Sequence, residues 1–258
     1  MENMFDLTGK VAVVTGASSG LGADAARAYV AYGADVAILA RRKERLEELA
    51  EELRASGKRI LPVQCDVSNE ESVKHAITEV VAHFGKIDIL LNNAGVAVSG
   101  AVTDLTEEQW DTSMDINVKG LFFTCKYVVA EMLKNGYGKI VNISSVNALV
   151  ADKQPVFFRH SYNTSKAAVF GFTKGLAASY AQNGITVNTI CPGLFESEMT
   201  AKNLFKSEAF LNGYNYTCPA GRPGRKGELN GTILYFSSDA SSYVTGQYVV
   251  VDGGATIV

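Results

Sequence analysis

Short apolar runs alternate with longer segments of helical periodicity along most of the chain. The first three runs are KVAVVTG, ADVAILA and RILPVQCDV, and each precedes a segment that we predict to be a helix. The alternation continues through IDILLNNAG, KIVNISS and ITVNTICPG and ends with QYVVVDGG. Such runs are typical of strands buried on both faces of a parallel sheet. The pattern therefore predicts a doubly wound (Rossmann) α/β fold of about seven parallel strands, with helices on both faces.

The segments between the strands give approximate helix limits and two exceptions. The first helix is predicted to begin at Leu21, and the next two are predicted to end at Ala55 and at Phe84. Three more are predicted over about 107–134, 162–182 and 226–237. Thr106 and Gln109 have the spacing of a capping box. Segments 146–161 and 194–218 break the pattern, and each follows the carboxyl end of a strand, where such sheets bind ligands. We expect a substrate loop and a lid there, within a single domain that spans 1–258.

Composition and charge narrow the class of protein. The 258 residues are 47% hydrophobic and 20% charged, with a net charge of −3. Because acids and bases are interspersed, neither a nucleic acid nor a membrane surface is expected as a partner. The four cysteines lack metal-ligand spacing, so no disulfide framework and no metal site is predicted. The first residues, MENMFDLTGK, lack the apolar core of a signal peptide, and we expect a cytoplasmic location.

A glycine-rich turn joins the first strand to the first helix. In TGASSGLG, glycines relax the backbone so that N–H groups can approach a pyrophosphate, which the helix N-terminus also favours. The position of this turn after the first strand of an alternating chain predicts a dinucleotide site. The residues assigned to it are Gly16, Ser18, Ser19, Gly20, Leu21 and Gly22.

The end of the second strand indicates which cofactor is bound. Ala40 stands where an acid would accept hydrogen bonds from a ribose, and Arg41 and Arg42 follow. Arginine suits a 2′-phosphate, so NADP(H) is preferred and NAD(H) is possible, although two arginines here are also compatible with the start of a charged helix. After the third strand, Asp66 and Val67 are expected at the adenine, with Asp66 accepting from the amino group.

Seven motifs in order give the chain its resemblance to a family. They are TGASSGLG at 15–22, CDV at 65–67, NNAG at 92–95, an asparagine at 117, the second serine of NISS, YNTSK at 162–166 and PG at 192–193. Over essentially its whole length the chain resembles the short-chain dehydrogenase/reductase family. The resemblance implies a catalytic tetrad of Asn117, Ser145, Tyr162 and Lys166. It also implies cofactor contacts by Asn93, Ala94, Gly95, Tyr162, Lys166, Pro192, Gly193 and Ser197, the last at the nicotinamide carboxamide, and assembly as a homotetramer.

The chemistry of these side chains suits the interconversion of a secondary alcohol and a ketone. Tyr162 and Lys166 lie four positions apart, on one helical face, and a nearby cation lowers the pKa of a phenol, so Tyr162 is the predicted acid and base. Ser145 is expected to bind the substrate oxygen, and Asn117 to hold a water that passes protons from Lys166. A non-catalytic nucleotide sensor is the alternative, although it would typically have lost one of these groups.

The substrate is the least determined part of the function. Sixteen residues separate Ser145 from Tyr162, more than is common in the family, and they include an apolar patch. Together with the lid, this patch predicts an aromatic wall for a bulky apolar substrate such as a hydroxysteroid, or else packing of the lid itself. The residues concerned are Val156, Phe157, Phe158, Phe195, Leu204, Phe205, Phe210, Leu211, Tyr214 and Tyr216. Cations at Lys153, Arg159, His160 and Lys202 leave open a gluconate-type sugar acid or a 3-oxoacyl thioester.

Overall fold

A seven-stranded parallel sheet forms the centre of the computed structural model, which describes residues 3–201 and 204–258. The strands are β1 (Val11–Thr15), β2 (Asp35–Ala40), β3 (Ile60–Gln64), β4 (Ile89–Asn92), β5 (Gly138–Ile143), β6 (Ile185–Pro192) and β7 (Tyr248–Val251). Their order is β3-β2-β1-β4-β5-β6-β7, and every neighbouring pair is parallel. The direction of winding reverses between β1 and β4, which creates a crevice at their carboxyl ends. The predicted doubly wound fold is confirmed.

Helices cover both faces of this sheet. They are α1 (Gly20–Ala31), α2 (Lys43–Arg54), α3 (Glu70–Phe84), α4 (Glu107–Met114), α5 (Gly120–Asn135), α6 (His160–Tyr180), α7 (Glu198–Ala201), α8 (Glu208–Thr217) and α9 (Asn230–Ser237). Alternate residues of each strand face opposite sides, so Ala12 and Val14 pack with α1, α2 and α9. Val11 and Val13 pack with α3, α5 and α6. The sheet therefore separates two apolar cores.

The predicted helix over 107–134 is interrupted. The structure has a π-helical turn over Asp115–Lys119 between α4 and α5, and Asn117 lies within it. Such a turn inserts one residue into the helical repeat without disturbing the apolar pattern on either side, so periodicity does not reveal it. The capping box is confirmed, since the side chains of Thr106 and Gln109 each accept from the other's backbone N–H.

Helix α6 begins at His160, two residues earlier than predicted. Arg159, directly before it, pairs with Gly100 in an isolated β-bridge, and this bridge marks the end of the extended segment. As a result Tyr162 lies within the first turn of the helix rather than at its boundary. Side chains in that turn project beyond the carboxyl edge of the sheet.

The predicted substrate loop and lid are partly ordered into short elements. The loop contains 3₁₀ turns at Val146–Ala148 and Pro155–Phe157, and the lid contains α7 and α8. Lys202, one of the predicted cations, lies outside the described residues. Within 3–201 and 204–258, no helix combines the length and the apolar character needed to cross a membrane.

Candidate active site

The glycine turn after β1 has no room for side chains. Gly16 has φ +65°, and a Cβ there would come within 2.8 Å of the Cα of Ala94. A Cβ on Gly22 would lie 2.5 Å from both the side-chain nitrogen Nδ2 of Asn93 and the carbonyl oxygen of Gly16. Both positions therefore require glycine, and the backbone of this turn is left open on the crevice side. This is a cradle suited to a pyrophosphate at the start of α1.

The segment after β4 is tied directly to the glycine turn. Asn93 donates through its side chain to the carbonyl oxygens of Thr15 (3.1 Å) and Gly16 (3.2 Å). The hydroxyl of Thr15 accepts from the backbone N–H groups of Asn93 (3.0 Å) and Ala94 (3.1 Å). These bonds hold the two walls of the crevice together. Sequence analysis did not assign a role to Thr15, although its position before the glycine turn was a signal.

A groove of about 470 Å³ opens at these carboxyl ends. Most of the predicted cofactor residues line it: Gly16, Ser18, Ser19, Gly20, Leu21, Arg41, Arg42, Asp66, Val67, Asn93, Ala94, Gly95, Pro192, Gly193 and Ser197. Ser145, Tyr162 and Lys166 line the same groove. Gly22 and Asn117 do not line it and lie behind its wall. Its size is that of a typical small-molecule site.

Arg42 reaches across the glycine turn, although its side chain is 45% exposed. Its Nη2 donates to the hydroxyls of Ser18 (2.9 Å) and Ser19 (3.1 Å) and to Oε2 of Glu198 (2.7 Å). The hydrogen bond from the Arg42 guanidinium is the main reason why the pKa of Glu198 falls below its ordinary value. Glu198 also forms an ion pair with Arg45 at 3.3 Å. Sequence analysis missed Glu198, since nothing in the local pattern connects α7 with the start of α2.

Tyr162 and Lys166 are both buried beside the groove. The Lys166 Nζ lies 5.8 Å from the centroid of the Tyr162 ring and donates to the carbonyl oxygen of Ile143 at 2.9 Å. Burial lowers the pKa of Lys166 to about 8.

The pKa of Tyr162 differs from expectation. Burial raises it above its ordinary value, while hydrogen bonding with Ser145 and the charge of Arg159 act in the opposite direction. From the sequence we expected Lys166 to lower the pKa of Tyr162. The pKa is instead raised, because desolvation of the phenol is the largest effect. The two side chains nevertheless face one groove, as their four-residue spacing predicts.

The structure separates the two serines after β5. The Ser144 hydroxyl donates a hydrogen bond to the backbone carbonyl of Lys166 at 2.7 Å, and this bond holds α6 against the sheet. The Ser145 hydroxyl accepts from the backbone N–H of Asn147 at 3.1 Å and lies close enough to Tyr162 to influence its pKa. Ser145 is therefore the serine placed to meet a substrate oxygen together with Tyr162.

Asn117 connects three segments behind the groove. Its Nδ2 donates to the carbonyl oxygen of Val96 and to the hydroxyl of Ser165, each at 2.9 Å. Its Oδ1 accepts from the Val96 N–H at 2.9 Å. A Cβ on Gly95 would lie 3.1 Å from this Oδ1 and 3.3 Å from the Lys166 Nζ. The absence of a side chain at Gly95 therefore leaves room for both the Asn117 amide and the Lys166 ammonium next to this segment.

Asp66 and Ser197 are at the groove but are partly engaged elsewhere. One carboxylate oxygen of Asp66 accepts from the backbone N–H (3.0 Å) and hydroxyl (2.7 Å) of Ser68. The Ser197 hydroxyl lies 3.2 Å from that of Thr200, and its Cβ would be 3.3 Å from a Cβ on Gly20. Ser197 thus packs against the glycine turn, at the start of α1.

The predicted aromatic wall does not form along the groove. Among the described lid aromatics only Phe195 lines it, whereas Phe157 of the loop packs against Phe210 of the lid at 5.5 Å between centroids. Phe210 stacks on Tyr214 at 6.4 Å, and Tyr216 is 91% exposed. The structure thus favours the alternative, in which these rings fasten the lid to the loop.

No metal centre accompanies the groove in the part of the chain that the structure describes. Across 3–201 and 204–258, no three His, Cys, Asp or Glu side chains are grouped so that they could hold a metal ion.

Comparison with known proteins agrees with the geometry. A family model described as short chain dehydrogenase matches residues 10–207. Oxidoreductase UcpA of Salmonella typhimurium is 41% identical over 260 residues, covering 98% of this chain and 97% of that protein. Gluconate 5-dehydrogenase of Gluconobacter oxydans is 36% identical over 255 residues, covering 99% of this chain and 98% of that protein.

A solved structure is similar over the same extent. The crystal structure of a gluconate 5-dehydrogenase from Burkholderia cenocepacia, in complex with NADP and tartrate, has a TM-score of 0.93 and 36% identity, covering 99% of this chain and 98% of that one. The match of sequence and fold thus extends over essentially the whole chain. The chain therefore belongs to the short-chain dehydrogenase/reductase family and is an oxidoreductase of CH–OH groups that uses a nicotinamide cofactor.

Proposed function

We propose that the enzyme interconverts a secondary alcohol and a ketone on a small carboxylate-bearing substrate of the sugar-acid class, with NADP(H) as the preferred cofactor. The observation that carries this proposal is the position of Arg159. It directly precedes α6, three residues before Tyr162, and is held by a β-bridge to Gly100, outside the residues that line the groove. Its positive charge acts on the Tyr162 phenol, and among the described residues no acid pairs with it. An arginine without an acidic partner beside the reacting groups suits a substrate carboxylate.

The similar proteins support a substrate of this class. One relative is named for gluconate, and the Burkholderia cenocepacia structure contains tartrate, a hydroxy acid. A hydroxysteroid, the first expectation from sequence, gains no support, because the lid aromatics pack among themselves. A 3-oxoacyl thioester has no free carboxylate next to its ketone, so Arg159 favours the sugar acid over it.

The cofactor proposal rests on the fit of the groove. The glycine turn offers its backbone where a Cβ at Gly16 or Gly22 would collide with neighbours, and Arg42 and Ser18 present donors beside it. When bound there, a nicotinamide cofactor would accept hydride from the alcohol or supply it to the ketone. Arg42 suits the 2′-phosphate that distinguishes NADP(H) from NAD(H).

We assign the proton transfer to Tyr162. In ketone reduction its hydroxyl donates a proton to the substrate oxygen, and in alcohol oxidation it removes one. Ser145 donates a hydrogen bond to the same oxygen, stabilising the negative charge that develops on it. Lys166, with a pKa of about 8, can gain or lose a proton near neutral pH and supplies the proton reservoir behind Tyr162.

Asn117 has a positioning role in this scheme. It fixes the segment at Val96 against Ser165 of α6 and thereby fixes the wall beside Lys166. An internal cavity of about 10 Å³ is lined by both Asn117 and Lys166. That volume is close to the minimum for one water molecule, which supports a water-mediated path for protons from Lys166.

We further propose one catalytic domain over 1–258, assembled as a cytoplasmic homotetramer. The exposed apolar residues Phe122 and Leu133 on α5 and Tyr248 on β7 support helix and sheet-edge contacts between subunits. The four cysteines are buried and unbridged, which suits a reducing compartment. Light scattering at micromolar concentration tests the assembly, and a monomer contradicts it.

A substrate panel with both cofactors tests the proposed function. Gluconate and other sugar acids, the matching neutral polyols, hydroxysteroids and 3-oxoacyl thioesters are each assayed by nicotinamide absorbance in the appropriate direction. We expect turnover of a sugar acid, with a KM well below that of its neutral counterpart. Turnover confined to hydroxysteroids or thioesters contradicts the substrate class. Cofactor binding without any turnover would favour the nucleotide sensor.

A further inference from the structure

The carboxylate of Glu198 lies on the arginine that we assign to the 2′-phosphate. Its Oε2 accepts from Arg42 Nη2 at 2.7 Å and from the Ser19 hydroxyl at 3.0 Å. Its Oε1 is 3.3 Å from Nη1 of Arg45. Two guanidinium groups and a hydroxyl thus surround one carboxylate at the edge of the groove.

The surroundings of Glu198 resemble those of a bound anion. Carboxylate and phosphate oxygens accept the same charge-assisted hydrogen bonds from guanidinium groups. The nitrogen of Arg42 that contacts Glu198 also donates to Ser18 at 2.9 Å and Ser19 at 3.1 Å, so one nitrogen serves the glycine turn and the acid together. A second anion that approaches this nitrogen meets the negative charge of Glu198.

The position of Glu198 in the fold makes this contact specific. It is the first residue of α7, whereas Arg42 directly precedes α2, and 156 positions separate them. Glu196, two residues earlier, is exposed and forms no ion pair among the described residues. Only one of these two acids is therefore directed at the cofactor groove.

We propose that Glu198 sets the cofactor preference of this enzyme, because its carboxylate competes with the 2′-phosphate of NADP(H) for Arg42. The inference rests on the proposed function, which places that phosphate at Arg42. NAD(H) carries a ribose hydroxyl at the same position, and a carboxylate can accept a hydrogen bond from it. Glu198 therefore weakens binding of NADP(H) but not of NAD(H). The preference for NADP(H) is then smaller than Arg41 and Arg42 alone would give.

Calorimetric titration of the full-length protein with NADPH and NADH tests the inference. We expect Glu198→Gln to change the ratio of the two dissociation constants about 1.4- to fivefold in favour of NADPH, the range for exposed ion pairs. The matched variant Glu196→Gln removes the same charge from the same segment and should leave the ratio unchanged. An equal change in both variants, or none in Glu198→Gln, overturns the inference.

Two further arms identify the phosphate and the arginine as the groups involved. Adenosine 2′,5′-bisphosphate should gain affinity in Glu198→Gln, whereas AMP should not. In the background of Arg42→Gln, the effect of Glu198→Gln on NADPH should disappear, because the competition acts through Arg42. Persistence of the effect without Arg42 contradicts the inference.

These titrations separate the inference from the proposed function. If the unaltered protein binds neither cofactor, the dinucleotide site itself is refuted, and the inference with it. If both cofactors bind and the Glu198→Gln ratio stays constant, the site stands and only the role of Glu198 is refuted. A decrease in NADPH affinity in Glu198→Gln would show that the acid positions Arg42 rather than competing for it.

Discussion

The Lys166 ammonium donates to the backbone carbonyl of Ile143 at 2.9 Å, across the end of β5. Ile143 stands two residues before Ser145, so this bond fixes the lysine of α6 next to the strand end that carries the serine. The same side chain lies 5.8 Å from the Tyr162 ring centroid. One backbone contact therefore sets the relative positions of the three groups that we assign to catalysis.

Tyr162→Phe should abolish proton transfer while leaving the groove intact. The change removes one hydroxyl from a buried ring, and general acid catalysis typically contributes about 10²- to 10⁴-fold. We expect kcat to fall by that order with an unchanged dissociation constant for NADPH. Stopped-flow turnover and calorimetric titration measure the two quantities. Near-normal turnover with normal cofactor binding would remove Tyr162 from the mechanism.

The buried Lys166 should make stability depend on pH in a defined direction. Its pKa in the folded protein is about 8, below the ordinary value of 10.5, so between these values the unfolded chain binds more protons. Free energy of unfolding then rises with pH across this window, because the cost of burying the charge disappears. Relative to Lys166→Met, the unaltered protein should therefore gain stability between about pH 8 and pH 10.

Urea unfolding of both proteins at the two pH values measures this gain. Lys174→Met, an exposed lysine on the same helix, is the matched control and should show no such difference. An identical pH dependence for Lys166→Met and the unaltered protein would mean that Lys166 is not titrating in this range.

Arg159→Gln should weaken binding of the substrate and leave binding of the cofactor unchanged. A charge-assisted pair with a carboxylate contributes about 1.5–3 kcal/mol, so KM for a sugar acid should rise roughly 10- to 100-fold. The KM for NADPH should not change. Lys153→Gln alters an exposed cation of the same loop and serves as the control. If both variants raise KM equally, the effect comes from the general charge of the loop and not from a carboxylate at Arg159.

Gly22→Ala should damage the cofactor cradle. The added Cβ would lie 2.5 Å from the Asn93 amide and the Gly16 carbonyl, and the bonds from Asn93 to the turn would break. We expect NADPH affinity to fall at least tenfold. Gly171→Ala on α6 meets nothing within 4 Å and should instead stabilise the helix by about 0.5–1 kcal/mol. Calorimetry and thermal unfolding distinguish these outcomes, and unimpaired cofactor binding by Gly22→Ala would contradict the assigned geometry.

The sequence was sufficient for the elements whose formation depends on local pattern. Buried strands predicted the parallel sheet, and the glycine spacing after β1 predicted the turn that the structure places at the crevice. The spacing of Tyr162 and Lys166 likewise predicted a shared face. In each case a period or a steric requirement acts between residues that are close in the chain.

Other features depend on contacts that no local pattern encodes. The contact between Arg42 and Glu198 joins residues 156 positions apart. The pKa of Tyr162 is raised because the phenol is buried, whereas the nearby lysine had led us to predict that this pKa is lowered. The sequence grouped the aromatic residues of the loop and the lid, but their composition did not specify that Phe157 and Phe210 would face each other while Phe195 lines the groove.

The contact between Phe157 and Phe210 has a mechanical consequence. It connects the segment before Arg159 with α8, so the substrate loop and the lid are joined by one aromatic contact. A displacement of α8 should therefore move the backbone next to the arginine that we assign to the substrate carboxylate. We therefore expect the exit of product and the release of its acidic end to occur as a single concerted motion.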